Sequence, residues 1–205
     1  MASDRLSYDV AVLGGGAAGL AAAVSAASQG ARTLLVEKYG FLGGMATAGM
    51  VGTICGLYHN ARDGSPRLLN HGLAEVFARC LAELPGCQGP VRHGRVTVLP
   101  YHPFAFACLA DQLTAEQPSL DVWLHAYLVS AEVRGRLLAA VEVASWDGRR
   151  GLGARAFVDA TGDAVLSAQA GVELETAPPA ERQLPSLVFV MQGVDQERLR
   201  GGRVV

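Results

Sequence analysis

YDVAVLGGGAAGLAAAVSAASQGARTLLVE, residues 8–37, changes character three times. Residues 8–13 are a short apolar run rich in strand formers, and a glycine cluster follows at once. Residues 17–29 are dominated by alanine, the strongest helix former, and Gly30 stands where a helix favours its left-handed stop. Residues 32–37 form a second apolar run that ends in a carboxylate. Strand, turn, helix and strand make one βαβ unit, whose two strands lie parallel. Within the turn the spacing is Gly14-x-Gly16-x-x-Gly19. Gly14 permits the tight turn, Gly16 lets a pyrophosphate reach the backbone, and Gly19 lets the helix pack closely. The N–H groups of the helix that opens at Ala17 and Ala18 have no partner within it, and they face the phosphates with the positive end of the helix dipole. Glu37 follows about 20 residues after the turn, where a carboxylate accepts hydrogen bonds from ribose hydroxyls and repels a 2′-phosphate. The pattern points to a dinucleotide and disfavours NADP. Taken alone it does not separate FAD from NAD.

The rest of the composition excludes other classes. The chain has 205 residues, 50% hydrophobic and 18% charged, with a formal charge of −2. A chain of this kind builds a real core and lacks the basic face of a nucleic-acid binder. Its basic residues are sixteen Arg and one Lys, Lys38, which no phosphate-loop glycine pattern precedes. Cys55, Cys80, Cys87 and Cys108 make no C-x-x-C pair and have no histidine at metal-ligand spacing, so no metal is expected. Free thiols and no apolar leader read as a cytoplasmic protein. Residues 10–31 carry no charge, but their glycines argue for strand, turn and helix and against a membrane span.

Further along, residues 38–66 read as a long ordered loop with a short helix. Residues 68–84 read as a helix with Leu69, Leu73, Val76, Phe77 and Leu81 on one face. Residues 85–100 are a connection with a short strand at 95–99. Pro103 opens another helix, which continues over 104–116 with Phe104, Ala107, Cys108 and Leu113 inward. Four strand-like runs follow at 121–128, 129–134, 137–146 and 154–159. They read as an antiparallel meander and a last strand that re-enters the parallel sheet. Residues 164–170 are a short helix, 173–183 a linker, and 184–192 a new strand, with Asp195 placed to cap a helix. This gives a dinucleotide-binding domain over 1–172, and over 173–205 a linker and the beginning of a second, substrate domain.

Two later segments favour flavin. Phe41-Leu42-Gly43-Gly44-Met45-Ala46-Thr47-Ala48-Gly49 follows the second strand, and Phe157-Val158-Asp159-Ala160-Thr161-Gly162-Asp163 comes much later. With these the sequence resembles the FAD-dependent oxidoreductases of the glutathione-reductase structural type, over about residues 8–195. The resemblance implies an α/β fold: a Rossmann-like FAD-binding domain with a parallel sheet and an antiparallel β-meander. It implies that Gly43, Gly44 and Thr47, with Lys38 and Met45 beside them, sit near the pyrophosphate and flavin. It places Leu128 by the adenine through its backbone, and it has Ala160, Thr161, Gly162 and Asp163 close over the dinucleotide. Such enzymes return to the flavin domain after the substrate domain. The chain stops at Val205 before that return, so a further C-terminal half or a second polypeptide is expected to complete the flavin site.

The function implied is electron transfer between a small organic substrate and FAD. A non-catalytic FAD-holding subunit and an NAD-binding dehydrogenase domain are the alternatives. Cys55, Tyr58 and His59 are the few groups in the loop after Thr47 able to hold flavin, relay protons or act as a redox thiol, and a buried thiol and a surface imidazole are the favoured reading of Cys55 and His59. No catalytic residue is assigned.

Overall fold

The computed structural model describes residues 6–195. The first unit is as the sequence reads: β1 (Leu6–Leu13), α1 (Ala17–Ser28) and β2 (Thr33–Val36). Gly30, at φ +82°, follows the helix and turns the chain toward β2. Then come β3 (Thr53–Asn60), β4 (Pro66–Leu68), α2 (Leu73–Glu83), β5 (Val91–His93), β6 (Val96–Pro100) and α3 (Pro103–Ala115). The chain continues through β7 (Leu120–Trp123), β8 (Tyr127–Arg134), β9 (Leu137–Ser145), β10 (Gly148–Asp159) and α4 (Val165–Gln169).

The main sheet has the order β7-β2-β1-β10-β9-β8. β7, β2, β1 and β10 are parallel to their neighbours. β8, β9 and the first half of β10 form the antiparallel meander. Both faces of the parallel part are covered, so Val10–Leu13 of β1 and Leu34–Val36 of β2 read as unbroken apolar runs. Alternate side chains serve opposite cores. Val12 and Leu35 meet the helices, with Leu20, Ala23 and Val24 of α1, Leu81 of α2 and Phe106 and Leu109 of α3. Ala11, Leu13, Leu34 and Val36 face the other way, where Val141 and Val143 of the meander pack on them.

Several expectations need correction. The loop read over 38–66 holds the one-turn helix at Gly44–Ala46, but it also contains β3, and its last residue opens β4. β3 joins β4, β6 and β5 in a second, four-stranded antiparallel sheet. Gly56 (φ +81°) sits where the β3–β6 register shifts, and that irregularity hid the alternation. The helix read over 68–84 begins only at Leu73, because Gly72 (φ +75°) breaks the chain before it; Leu69 lies outside, exposed. In α3 the inward face is Ala105, Phe106, Leu109, Ala110 and Leu113, while Phe104 and Cys108 point to solvent.

The strand read over 121–128 is broken by a turn at 124–126. Its first half, β7, pairs with β2 and is no part of the meander. Its end merges with the run over 129–134 into β8, and the last run, read over 154–159, already begins at Gly148 as β10, twelve residues long and shared between β9 and β1. The strand read over 184–192 is absent: Leu184, Leu187, Phe189 and Val190 are exposed and carry no ladder. The helix that Asp195 would cap lies outside the described residues. No helix among those described is long and apolar enough to cross a membrane.

Candidate functional site

The carboxyl ends of β1, β2 and β10 meet the head of α1, where parallel sheets place ligands. Here each glycine answers to a neighbour. A Cβ on Gly19 would lie 1.7 Å from the Gly14 carbonyl oxygen, so α1 packs on the turn only if residue 19 is glycine. Gly14, at φ +103°, has the Ala160 carbonyl oxygen 2.2 Å from its Cβ position and the Thr161 Cα at 2.9 Å. Gly15, which the sequence reading passed over, faces Leu42 and Glu37 at 2.6 and 2.9 Å. Gly16 differs from these three. Its backbone is extended, and its Cβ position meets only the Gly44 Cα, at 3.9 Å.

The loop after β2 closes against this turn. The Gly43 N–H donates to the Gly15 carbonyl at 2.8 Å, and Gly16 bridges Gly43 in parallel fashion. Gly44 approaches Gly16 so closely that a Cβ on it would lie 2.9 Å from the Gly16 Cα. The structure thus gathers Gly14, Gly16, Ala17, Ala18, Gly19, Gly43, Gly44, Ala160 and Thr161 in one place, although residues 14 and 160 are far apart in sequence. No side chain caps α1, and Ala17 and Ala18 at its head are exposed. The first N–H groups of a helix lack intrahelical acceptors and carry about half a positive charge between them.

Glu37 is 4% exposed. One carboxylate oxygen accepts the Gly15 N–H at 2.6 Å and the other the Tyr39 N–H at 2.8 Å. A carboxylate offers about four acceptor positions, so two stay open. Lys38 is exposed, with its ammonium 5.1 Å from the Tyr39 ring centre. Met45 is exposed in the one-turn helix. The buried Thr47 hydroxyl donates to the Leu42 carbonyl at 2.8 Å and so braces the loop from inside. Leu128 packs in the meander-side core, opposite Val143. Gly162 (φ +85°) and Asp163 are exposed beyond β10. The Thr161 hydroxyl is turned away from the glycine cluster: it donates to Asp159 at 2.7 Å and accepts the Val165 N–H at 2.8 Å.

Asp159 organises this last segment. Burial works against its charge. Hydrogen bonds from the N–H and hydroxyl groups of Ser167 and Thr161 outweigh burial and hold its carboxyl below the usual range. The stability this supplies is fully present above the ordinary carboxylate pKa and is lost as pH falls through the lowered one. We expect Asp159→Ala to cost about 2 kcal/mol at neutral pH. The variant should also lose less stability than the parent between pH 5 and 3, and urea melts at the two pH values check both.

An open cavity of about 260 Å³ lies at the carboxyl end of β7, between Trp123, Leu124 and Ala126 and the hairpin residues Trp146, Asp147 and Arg150. It abuts the Glu37 turn, since the Ala126 N–H donates to the Glu37 carbonyl. Cys55 and His59 are exposed on β3. Among the described residues no cluster of His, Cys, Asp or Glu is arranged to hold a metal.

Solved structures share this fold at low identity. A geranylgeranyl bacteriochlorophyll reductase-like protein from Thermoplasma acidophilum is 18% identical with a TM-score of 0.52, over 82% of this chain and 43% of that one. THI4 from Thermovibrio ammonificans is 19% identical at TM-score 0.56, over 82% and 65%. The 3-ketosteroid-delta4-(5alpha)-dehydrogenase from Rhodococcus jostii RHA1 is 13% identical at 0.52, over 78% and 47%. The chain therefore spans between two-fifths and two-thirds of the length of these structures. No curated protein matches it at significant similarity. The model of the FAD dependent oxidoreductase family matches residues 9–203, 195 of the 205. The glycine cradle fits the diphosphate of that coenzyme, and the chain belongs to the FAD dependent oxidoreductase family.

Proposed function

We propose that the chain holds FAD across the head of α1 and passes electrons between that flavin and a small organic substrate. One observation carries the reading: the uncapped start of α1, with Gly16 open beside it and Gly43-Gly44 laid along it. In this reading the N–H groups at Ala17 and Ala18 take the diphosphate, aided by the helix dipole. The two open acceptor positions of Glu37 take ribose hydroxyls. Gly43, Gly44, Met45 and Thr47 shape the loop on the flavin side, and the backbone of 160–163 covers the diphosphate. Leu128 and the cavity beside Ala126 lie toward the adenine end.

When bound, FAD supplies the two-electron chemistry, while the protein binds, orients and shields it. Asp159 acts through Thr161 and Ser167 by fixing the turn that meets Gly14. A second polypeptide or a further C-terminal half that completes the flavin site belongs to the proposal.

The test is a titration of the purified chain with FAD, read by its visible spectrum and fluorescence. Saturable quenching and a shifted flavin band are expected. A chain that stays colourless after desalting, with free-flavin fluorescence throughout the titration, removes the reading. Binding of NADH with equal affinity would favour a nicotinamide domain.

A further inference from the structure

Tyr101 lies in none of the glycine motifs, one residue beyond β6, and is 6% exposed. Its hydroxyl donates to the Val51 carbonyl and lies 3.3 Å from the Ala46 carbonyl. Its own N–H donates to the Gly52 carbonyl at 2.9 Å. The ring packs on Phe106, with centroids 5.4 Å apart, and the Phe106 ring lies 3.1 Å from the Cβ position of Gly43. A single side chain thus touches the far end of the loop through its hydroxyl and the glycine pair through Phe106. Between those ends the loop's backbone hydrogen bonds among the described residues are short-range turns, such as the Thr47 N–H to the Gly44 carbonyl and the Val51 N–H to the Met45 carbonyl, and the Thr47 hydroxyl adds its bond to the Leu42 carbonyl. Met50, inside it, has φ +54°, a conformation that costs energy for a side chain with a Cβ and needs outside support.

We infer that Tyr101 is a positioning residue for the flavin-side loop: its hydroxyl fixes the backbone of residues 46–51 and so sets how Gly43 and Gly44 meet the cofactor. This rests on the FAD reading above. The residue does not touch the reacting atoms in this assignment; it acts through the loop. Burial pushes the phenol up to about 12, so the donor keeps its proton at neutral pH. The second sheet, of which β6 is part, thereby gains a role at the dinucleotide site, although none of its strands lines the glycine cluster.

The experiment compares FAD binding to the full chain and to Tyr101→Phe, with Tyr8→Phe as control. Tyr8 is also buried, and its hydroxyl donates to Asp121 at 2.9 Å, away from the loop. Tyr101→Phe should bind FAD about fivefold to tenfold more weakly and change the visible circular dichroism of the bound flavin. Tyr8→Phe should leave both unchanged. Hydrogen exchange on the unaltered chain is a second measurement: FAD should slow exchange at the amides of residues 47–51. Three results overturn the inference: unchanged affinity and flavin dichroism in Tyr101→Phe, equal weakening in Tyr8→Phe, or no protection of residues 47–51. If the unaltered chain binds no FAD, the functional reading fails and takes this inference with it. If it binds FAD and Tyr101→Phe behaves like the parent, only the inference falls.

Discussion

Gly16→Ala should leave the chain within about 1 kcal/mol of its original stability and weaken FAD binding at least tenfold, whereas Gly19→Ala should cost about 3 kcal/mol or more of stability and abolish FAD binding. The two glycines stand three residues apart in one motif, but their surroundings differ. At Gly16 the backbone already has an extended conformation open to any residue, and an added methyl meets nothing nearer than 3.9 Å. The methyl would occupy the space over the helix head that is proposed above to take the diphosphate. At Gly19 the methyl would lie 1.7 Å from one backbone atom of Gly14 and 2.9 Å from another. Backbone cannot yield as a side-chain tip does, so α1 must lift from the turn, at a cost of about 3 kcal/mol or more. Urea melts and FAD titrations of both variants supply the measurement. A Gly16→Ala chain that binds FAD as the parent does would remove the cradle from the account.

Glu37 is expected to be nearly as sensitive. Glu37→Leu replaces the side chain by one of similar bulk and strips acceptors from the Gly15 and Tyr39 N–H groups. One of those bonds is buried and the other partly so, and an orphaned buried donor costs about 1–3 kcal/mol. A loss of about 3 kcal/mol is expected, along with a large fall in FAD affinity, since Gly15 loses its anchor beside the cradle. Glu37→Gln keeps one acceptor and turns its NH₂ group on the other donor, so it should fall between parent and leucine. Stability equal to the parent in Glu37→Leu would show that the two N–H groups find other acceptors.

The unit 8–37 was legible because propensity, periodicity and turn chemistry agree there. The glycine at each motif position had a definite reason, which the coordinates make explicit. Where the reading failed, local signals conflicted. β3 contains Cys55-Gly56, and its irregular pairing gives no clean alternation. Gly72 cut the predicted α2 short although Leu69 kept the helical spacing. Phe104 and Phe106 are equally apolar, and only packing on Tyr101 and Phe77 decides which turns inward. The strand read over 184–192 had the composition of a strand, but a ladder needs a partner, and no residue described offers one. The family's segments at 43–49 and 157–163 were recognisable as words. Their meeting along the turn of Gly14, Gly15 and Gly16 was not, because it depends on tertiary pairing. Tyr101 left no signal, since it works through carbonyls that any residue possesses.

β10 carries a consequence for biosynthesis. Its register sets Leu13 opposite Asp159, so the turn at Gly14 gains its neighbour Ala160 only after a further 146 residues (159 − 13) have been made. At the usual pace of translation that interval is about 7–30 s. Throughout it the nascent βαβ segment exposes an apolar sheet edge and lacks the Ala160 side of the glycine turn. The edge of β1 that β10 covers therefore stays open to other strands until the late strand arrives, and an exposed apolar edge of this kind invites wrong pairing.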